Sequence, residues 1–178
     1  ADLPQLLEWR NDEGLRHAFR EYRLLNMINQ RDWLSHKSRS REVEMFGIEL
    51  AFEGGVSTVG HSITVTVGGW QLIGICGLCN INWVNRTAEV SLYIARQYQG
   101  VVPPALGLLR QKAFGEFNLH RLWTETYDFR VGRIAILEHC GYAREGAMRE
   151  HVFKHGKYRD SIIHGMVNNE CASNCHGR

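Results

Sequence analysis

Apolar and polar positions along this chain follow two rhythms. In the first forty residues the apolar side chains recur at helical spacing. Leu6, Leu7 and Trp9 lead into Leu15, Phe19 and Tyr22, and after a break come Trp33 and Leu34. Asn29 with Asp32 predicts a helix cap just before Trp33. From Glu44 the period shortens to two. EMFGIELAF, HSITVTVGG, WQLIGICGLCNIN and TAEVSLYIA are rich in Ile, Val, Thr and aromatic residues, with turn residues between them at Gly54-Gly55, Gly68-Gly69 and Asn85-Arg86. They predict an antiparallel meander. Helical spacing returns after Pro104, where Leu106, Leu109, Ala113 and Phe117 form one stripe. HRLWTETYDF predicts a strand, and Val131 to His139 a second helix that stops at Cys140-Gly141-Tyr142. AREGAMREHVFKHGKY and DSIIHGMVN close the chain as strands turning at His155-Gly156-Lys157. This order lacks the regular alternation of a doubly wound sheet and predicts a mixed α/β layer.

The 178 residues suffice for one substantial core, and we expect a single domain over 1–178, with a polar tail from about 168 that frays. With 44% hydrophobic and 22% charged residues and no apolar run near the roughly 18 residues of a membrane span, a soluble protein is expected. The net charge of +2 argues against a nucleic-acid partner, because Arg16, Arg20, Arg23, Arg31, Lys37, Arg39 and Arg41 are interspersed with acidic and apolar residues. A modest basic patch would still suit a phosphate-bearing cofactor. Five cysteines, and no segment that reads as a secretory leader, lead us to expect a cytoplasmic protein without a disulfide framework. Cys76 and Cys79 form a CxxC, but on a strand residues three apart point to opposite faces. They read as small buried apolar groups, and no metal site is expected. Cys171, Cys175 and His176 fall in the polar tail.

The junction RQYQGVVPPALGLLRQKAF sets Gly100 before two adjacent prolines and an amphipathic run. A helix start gathers unpaired N–H groups and suits a phosphate, although proline contributes no donor. INWVNRTAEVSLYIARQYQG, AFGEFNLHRLWTETYDF and ILEHCGYAREGAMREHVFKHGKYRDSIIHGMV, in that order, resemble the GNAT superfamily of acyl-CoA-dependent N-acetyltransferases. The likeness is to the branch holding ribosomal-protein N-terminal and spermidine/spermine N-acetyltransferases, and it covers about residues 70 to 167. It implies an α/β (α+β) fold with a mostly antiparallel twisted sheet between helices, splayed beside the cofactor-binding strand. It also implies acetyl-CoA as co-substrate. Leu92, Tyr93 and Ile94 would pair through their backbone with the pantetheine arm, a free N–H near Leu92 or Tyr93 polarising the thioester carbonyl. Gln97, Gln99, Gly100, Val101, Val102 and Ala105 would cradle the pyrophosphate. The chain departs from the pattern here: Val102 stands where Gly or Ala is usual, the loop is two residues short, and Pro103 and Pro104 remove donors. Further on, Arg130 stands where relatives carry Asn and Leu137 where many carry an acidic Tyr. Arg130 is a candidate for a CoA phosphate.

Acetyl transfer needs a neutral amine, so a base is expected. Glu89 is the first candidate, with a strand-edge ion pair to Arg86 as the alternative reading. Tyr127 and Glu125 are the second-rank acid/base candidates. His120 and Cys140 read as structural. Trp33, Tyr22, Phe19 and His151 are candidates for lining an acceptor pocket, and Glu42, Glu44 and Glu49 for attracting a cation. The family's first strand is missing from ADLP at positions 1–4, unless residues 55–70 supply it. The expected acceptor is a primary amine on a protein N-terminus, a polyamine or an amino sugar, and a homodimer is a candidate assembly. The alternative is a catalytically impaired protein of this fold that binds CoA or a protein partner.

Overall fold

The strand-period segments assemble into a six-stranded sheet in the computed structural model, which describes residues 2–52, 55–59, 62–66 and 68–168. In chain order the strands are β1 (Glu44–Phe52), β2 (Gly55–Val59), β3 (Ser62–Thr66), β4 (Gly69–Asn82), β5 (Thr87–Ile94), β6 (Arg121–Tyr127), β7 (Ala143–Lys154) and β8 (Lys157–Val167). The main sheet runs β1-β4-β5-β6-β8-β7, antiparallel throughout except for the parallel pair β5 and β6. The predicted meander is corrected at one point. β2 and β3 pair with each other as a separate hairpin, and β1 pairs directly with β4 from Glu44 opposite Leu78 to Phe52 opposite Gly69. Alternation marks a segment as extended without naming its partner, so the 55–70 segment does not add a strand to the main sheet. Gly54 of the predicted turn, together with Cys171, Cys175 and His176, lies outside the described residues.

The opening helical region divides into α1 (Leu3–Asn11), α2 (Glu13–Arg16) and α3 (Met27–Arg39), with an irregular segment at 17–26. The cap of α3 is Asn26, not Asn29. Asn26 Oδ1 accepts from the Asn29 N–H at 2.9 Å, and Asn29 Oδ1 accepts from the Asn26 N–H at 3.1 Å, a reciprocal box. α4 (Val102–Gln111) carries both prolines in its first turn, where their fixed φ is tolerated, and continues through a π-turn at Lys112–Glu116. Its face Val102, Ala105, Leu106 and Leu109 packs with Leu78, Val90, Ile94 and Leu122 of the sheet. α5 (Val131–His139) stops before Gly141, whose φ of 88° is open to glycine at little cost. Cys76 belongs to this core, where burial pushes its thiol up to about 11. Cys79 instead lines the cavity on the opposite face, as strand alternation dictates.

Candidate active site

β5 and β6 stay paired only from Thr87–Glu89 to Arg121–Trp123, and beyond Glu89 the two strands part. Two hydrogen bonds fix which backbone groups face the gap. The Ala95 N–H donates to Ile73 O of β4 at 2.9 Å, and Thr124 Oγ1 of β6 donates to Val90 O at 3.2 Å. Since backbone groups alternate sides along a strand, Val90, Leu92 and Ile94 turn theirs toward β6. Leu92 therefore presents its N–H to the gap, whereas Tyr93 turns its own to β4. The Ile94 carbonyl is taken by the Gln99 side chain, whose Nε2 donates to it at 2.6 Å.

A cavity of about 810 Å³ opens around this gap. Among the expected site residues it is lined by Glu89, Leu92, Tyr93, Ile94, Gln99, Tyr127 and Arg130, together with Glu125, Trp33 and Phe19. Gln97, Gly100, Val101, Val102 and Ala105 do not line it. Val102 and Ala105 are buried in the core, and the Val102 N–H already donates to Gln99 O. With Pro103 and Pro104 beside it, the start of α4 is poor in free donors. Gly100 keeps open space on its Cβ side. Tyr22 is 74% exposed and does not line the cavity, and Glu42, Glu44, Glu49 and His120 also lie outside it.

Glu89 is only 7% exposed, and its partner is not Arg86. Arg20, from the irregular segment, donates to Glu89 Oε1 at 2.6 Å and to Oε2 at 3.2 Å. Asn80 Nδ2 adds a third bond to Oε2 at 2.8 Å. Asn80 sits in the bulge between Cys79 and Asn82 with φ 50°, and the bulge turns its amide toward β5. The same Arg20 donates to Glu125 Oε2 at 2.5 Å and 3.1 Å. Ser161 Oγ donates to Glu125 Oε1 at 2.6 Å, with His151 Nδ1 2.8 Å from that hydroxyl. Burial alone would raise the Glu125 carboxyl. The Ser161 and Arg20 hydrogen bonds and the Arg20 charge outweigh it and hold the group below its ordinary value. Burial and the nearby Glu125 charge raise the Tyr127 phenol.

Several basic residues line the cavity. Arg130 and Arg133 line it with no carboxylate partner among the described residues, and burial lowers both, Arg133 to about 10. Sequence reasoning missed Arg20, Asn80, Ser161 and Arg133. Arg20 lies between Phe19 and Tyr22, whose spacing reads as helix although the chain is irregular there, and its partners are 69 and 105 residues away, so no local pattern announces it. Arg133 is three residues from Arg130, one helical turn on.

The Acetyltransferase (GNAT) domain model matches residues 1–143. Spermidine N(1)-acetyltransferase of Vibrio cholerae is 30% identical over 92 residues, 51% of this chain and 53% of that protein. Putative ribosomal N-acetyltransferase YdaF of Bacillus subtilis is 28% identical over 102 residues, 56% of each. The chain thus spans about half the length of the relatives it matches in sequence. Among solved structures, Vibrio cholerae spermidine N-acetyltransferase in complex with CoA and spermine superposes with a TM-score of 0.78. It shares 19% identity, over 95% of this chain and 91% of that one. A dodecameric structure of the same enzyme gives 0.74 at 18% identity.

Proposed function

Because the chain belongs to the GNAT acetyltransferase family, we propose that it transfers an acetyl group from acetyl-CoA to a primary amine by direct attack, with both substrates bound together. The observation that carries this reading is the parted β5–β6 pair, which leaves the Leu92 backbone facing the cavity that Glu89 also lines. The donor set fits the co-substrate. An extended amide-bearing arm is complementary to an unpaired strand edge, and Arg130 and Arg133, without a carboxylate partner among the described residues, are complementary to phosphate charge. Leu92 and Ile94 would hold the arm, with Gln99 and the open space beside Gly100 left for the pyrophosphate. Acetyl-CoA supplies an activated acyl group there.

This chain's residues supply the rest. The Leu92 N–H polarises the acyl carbonyl, and the donor is fixed by the sheet before substrate arrives. Glu89 takes the proton from the incoming ammonium, directly or through water, and Tyr127 is the candidate for returning a proton to the leaving thiolate. Holding both substrates in one cavity favours attack without a covalent enzyme intermediate. The acceptor is a polyamine, a protein N-terminus or an amino sugar, and the two carboxylates favour an acceptor that is cationic. The long, exposed edge strand β7 offers a surface for a homodimer.

A second reading, a protein of this family that binds CoA without turnover, is favoured by the donor-poor start of α4 and by the buried apolar Leu137. Calorimetric titration of acetyl-CoA into the protein and its Gly100→Trp variant tests the first step: heat of binding that Gly100→Trp abolishes supports it, and no heat from either sinks both readings. Release of free thiol with a panel of primary amines then separates enzyme from binder.

A further inference from the structure

Glu89 and Glu125 form an unusual pair. Their side chains are 10% and 8% exposed, and they face one another from strands that have parted. Two buried carboxylates this close cannot both stay ionised without a positive charge between them. That charge comes from Arg20, whose side chain is 56% exposed and whose guanidinium spans both carboxylates. The other groups on the pair, Asn80, Ser161 and His151, come from the sheet. Only the cation arrives from a segment without regular structure. One residue earlier the chain is tied down, because Lys154 Nζ donates to Phe19 O at 2.9 Å. Arg20 can therefore leave by rotation of its own side chain, with the backbone in place.

We propose that Arg20 is a resident stand-in for the acceptor's charge and sets acceptor specificity: a cationic substrate must displace its guanidinium from Glu89 and Glu125. This rests on the reading of Glu89 as lying at the acceptor site. The requirement is stricter than an attraction for amines. The reacting amine gives up its proton to Glu89 and ends uncharged, so it cannot replace the charge that Glu125 loses when Arg20 swings out. The acceptor must bring a second cationic group for Glu125. Monoamines leave a buried carboxylate unpaired, and Arg20 outcompetes them.

The test compares wild type with Arg20→Ala, using methylguanidinium chloride as the probe and sodium chloride at equal ionic strength as the control. With the resident charge removed, saturating methylguanidinium should raise the thermal midpoint of Arg20→Ala by about 3–5 °C and leave wild type unmoved. No rise beyond the salt control, or an equal rise in both proteins, overturns the proposal. Arg20→Gln, which keeps hydrogen-bonding capacity without the charge, carries the same comparison if the alanine protein does not fold. In turnover, the KM for propylamine should fall about tenfold in the variant, where no guanidinium outcompetes it, while that for 1,3-diaminopropane, which replaces the charge on both carboxylates, stays within about twofold. An unchanged ratio of the two overturns the specificity role. If no amine is acetylated by either protein, the acetyl-transfer reading fails, and the midpoint measurement still decides what Arg20 does.

Discussion

Replacing Glu89 by Gln separates its structural duty from its chemical one. The carboxylate accepts three hydrogen bonds, two from Arg20 and one from Asn80. Glutamine keeps one acceptor and turns an NH₂ toward either the guanidinium or the Asn80 amide, so a donor faces a donor in both orientations. A hydrogen bond to a charged group contributes about 1.5–3 kcal/mol. Arg20 is more than half exposed and stays bound to Glu125, so the net loss should shrink to about 1–2 kcal/mol. Denaturation followed by circular dichroism should then show a midpoint lower by roughly 3–6 °C. Turnover should fall much further, by about 10²–10⁴, if Glu89 takes the proton. The assay is thiol release at saturating acetyl-CoA and amine, at a temperature where both proteins are folded. Turnover within about threefold of wild type, with the stability loss as expected, would leave Glu89 an anchor for Arg20 and refute its role as base.

Glu125 sits below its ordinary value of 4.5 in the folded protein, so its stabilisation is complete above that value and is lost as pH falls through the lower folded one. Glu125→Gln should flatten the decline of the thermal midpoint between neutral pH and about pH 3; a slope equal to wild type would mean that other carboxylates carry it. Gly77→Ala drives a Cβ into Glu44 O and to 2.9 Å from Met45 Cα, both backbone atoms of β1. Overpacking of this kind should cost about 1–3 kcal/mol in urea denaturation. Arg133→Met removes a charge that folding buries without a carboxylate partner among the described residues. Its folded value lies below the unfolded one, so at neutral pH the charge opposes folding, and the variant's midpoint should rise by about 2–4 °C.

Elements whose signals are local were legible from the chain. EMFGIELAF forms β1 from Glu44 to Phe52, and the second helix runs from Val131 to His139, because alternation, helical spacing and a stop glycine act within a few residues. Partnership was not. The β2–β3 hairpin shows the same alternation as the strands that joined the sheet. The α3 cap escaped because its box uses Asn29 where the common signature has Glu or Gln. At the site, Glu89 lines the cavity, but its partner Arg20 lies 69 residues upstream. Val102 and Ala105 were read as phosphate donors through their backbone amides; the Val102 N–H is taken by Gln99 O, and the side chains of both pack in the core.

The parting of β5 and β6 turns a central strand into an edge strand inside the molecule. Edge strands on a surface invite other chains to pair and aggregate, and proteins protect them with charge, proline or short length. Here the vulnerable backbone of Leu92 is protected by confinement, since the gap narrows to the paired residues at Glu89 and α1, α2 and α5 all contribute to its walls. The geometry that withholds one row of hydrogen bonds from the sheet thus also encloses it, so that whatever completes the row must enter the cavity.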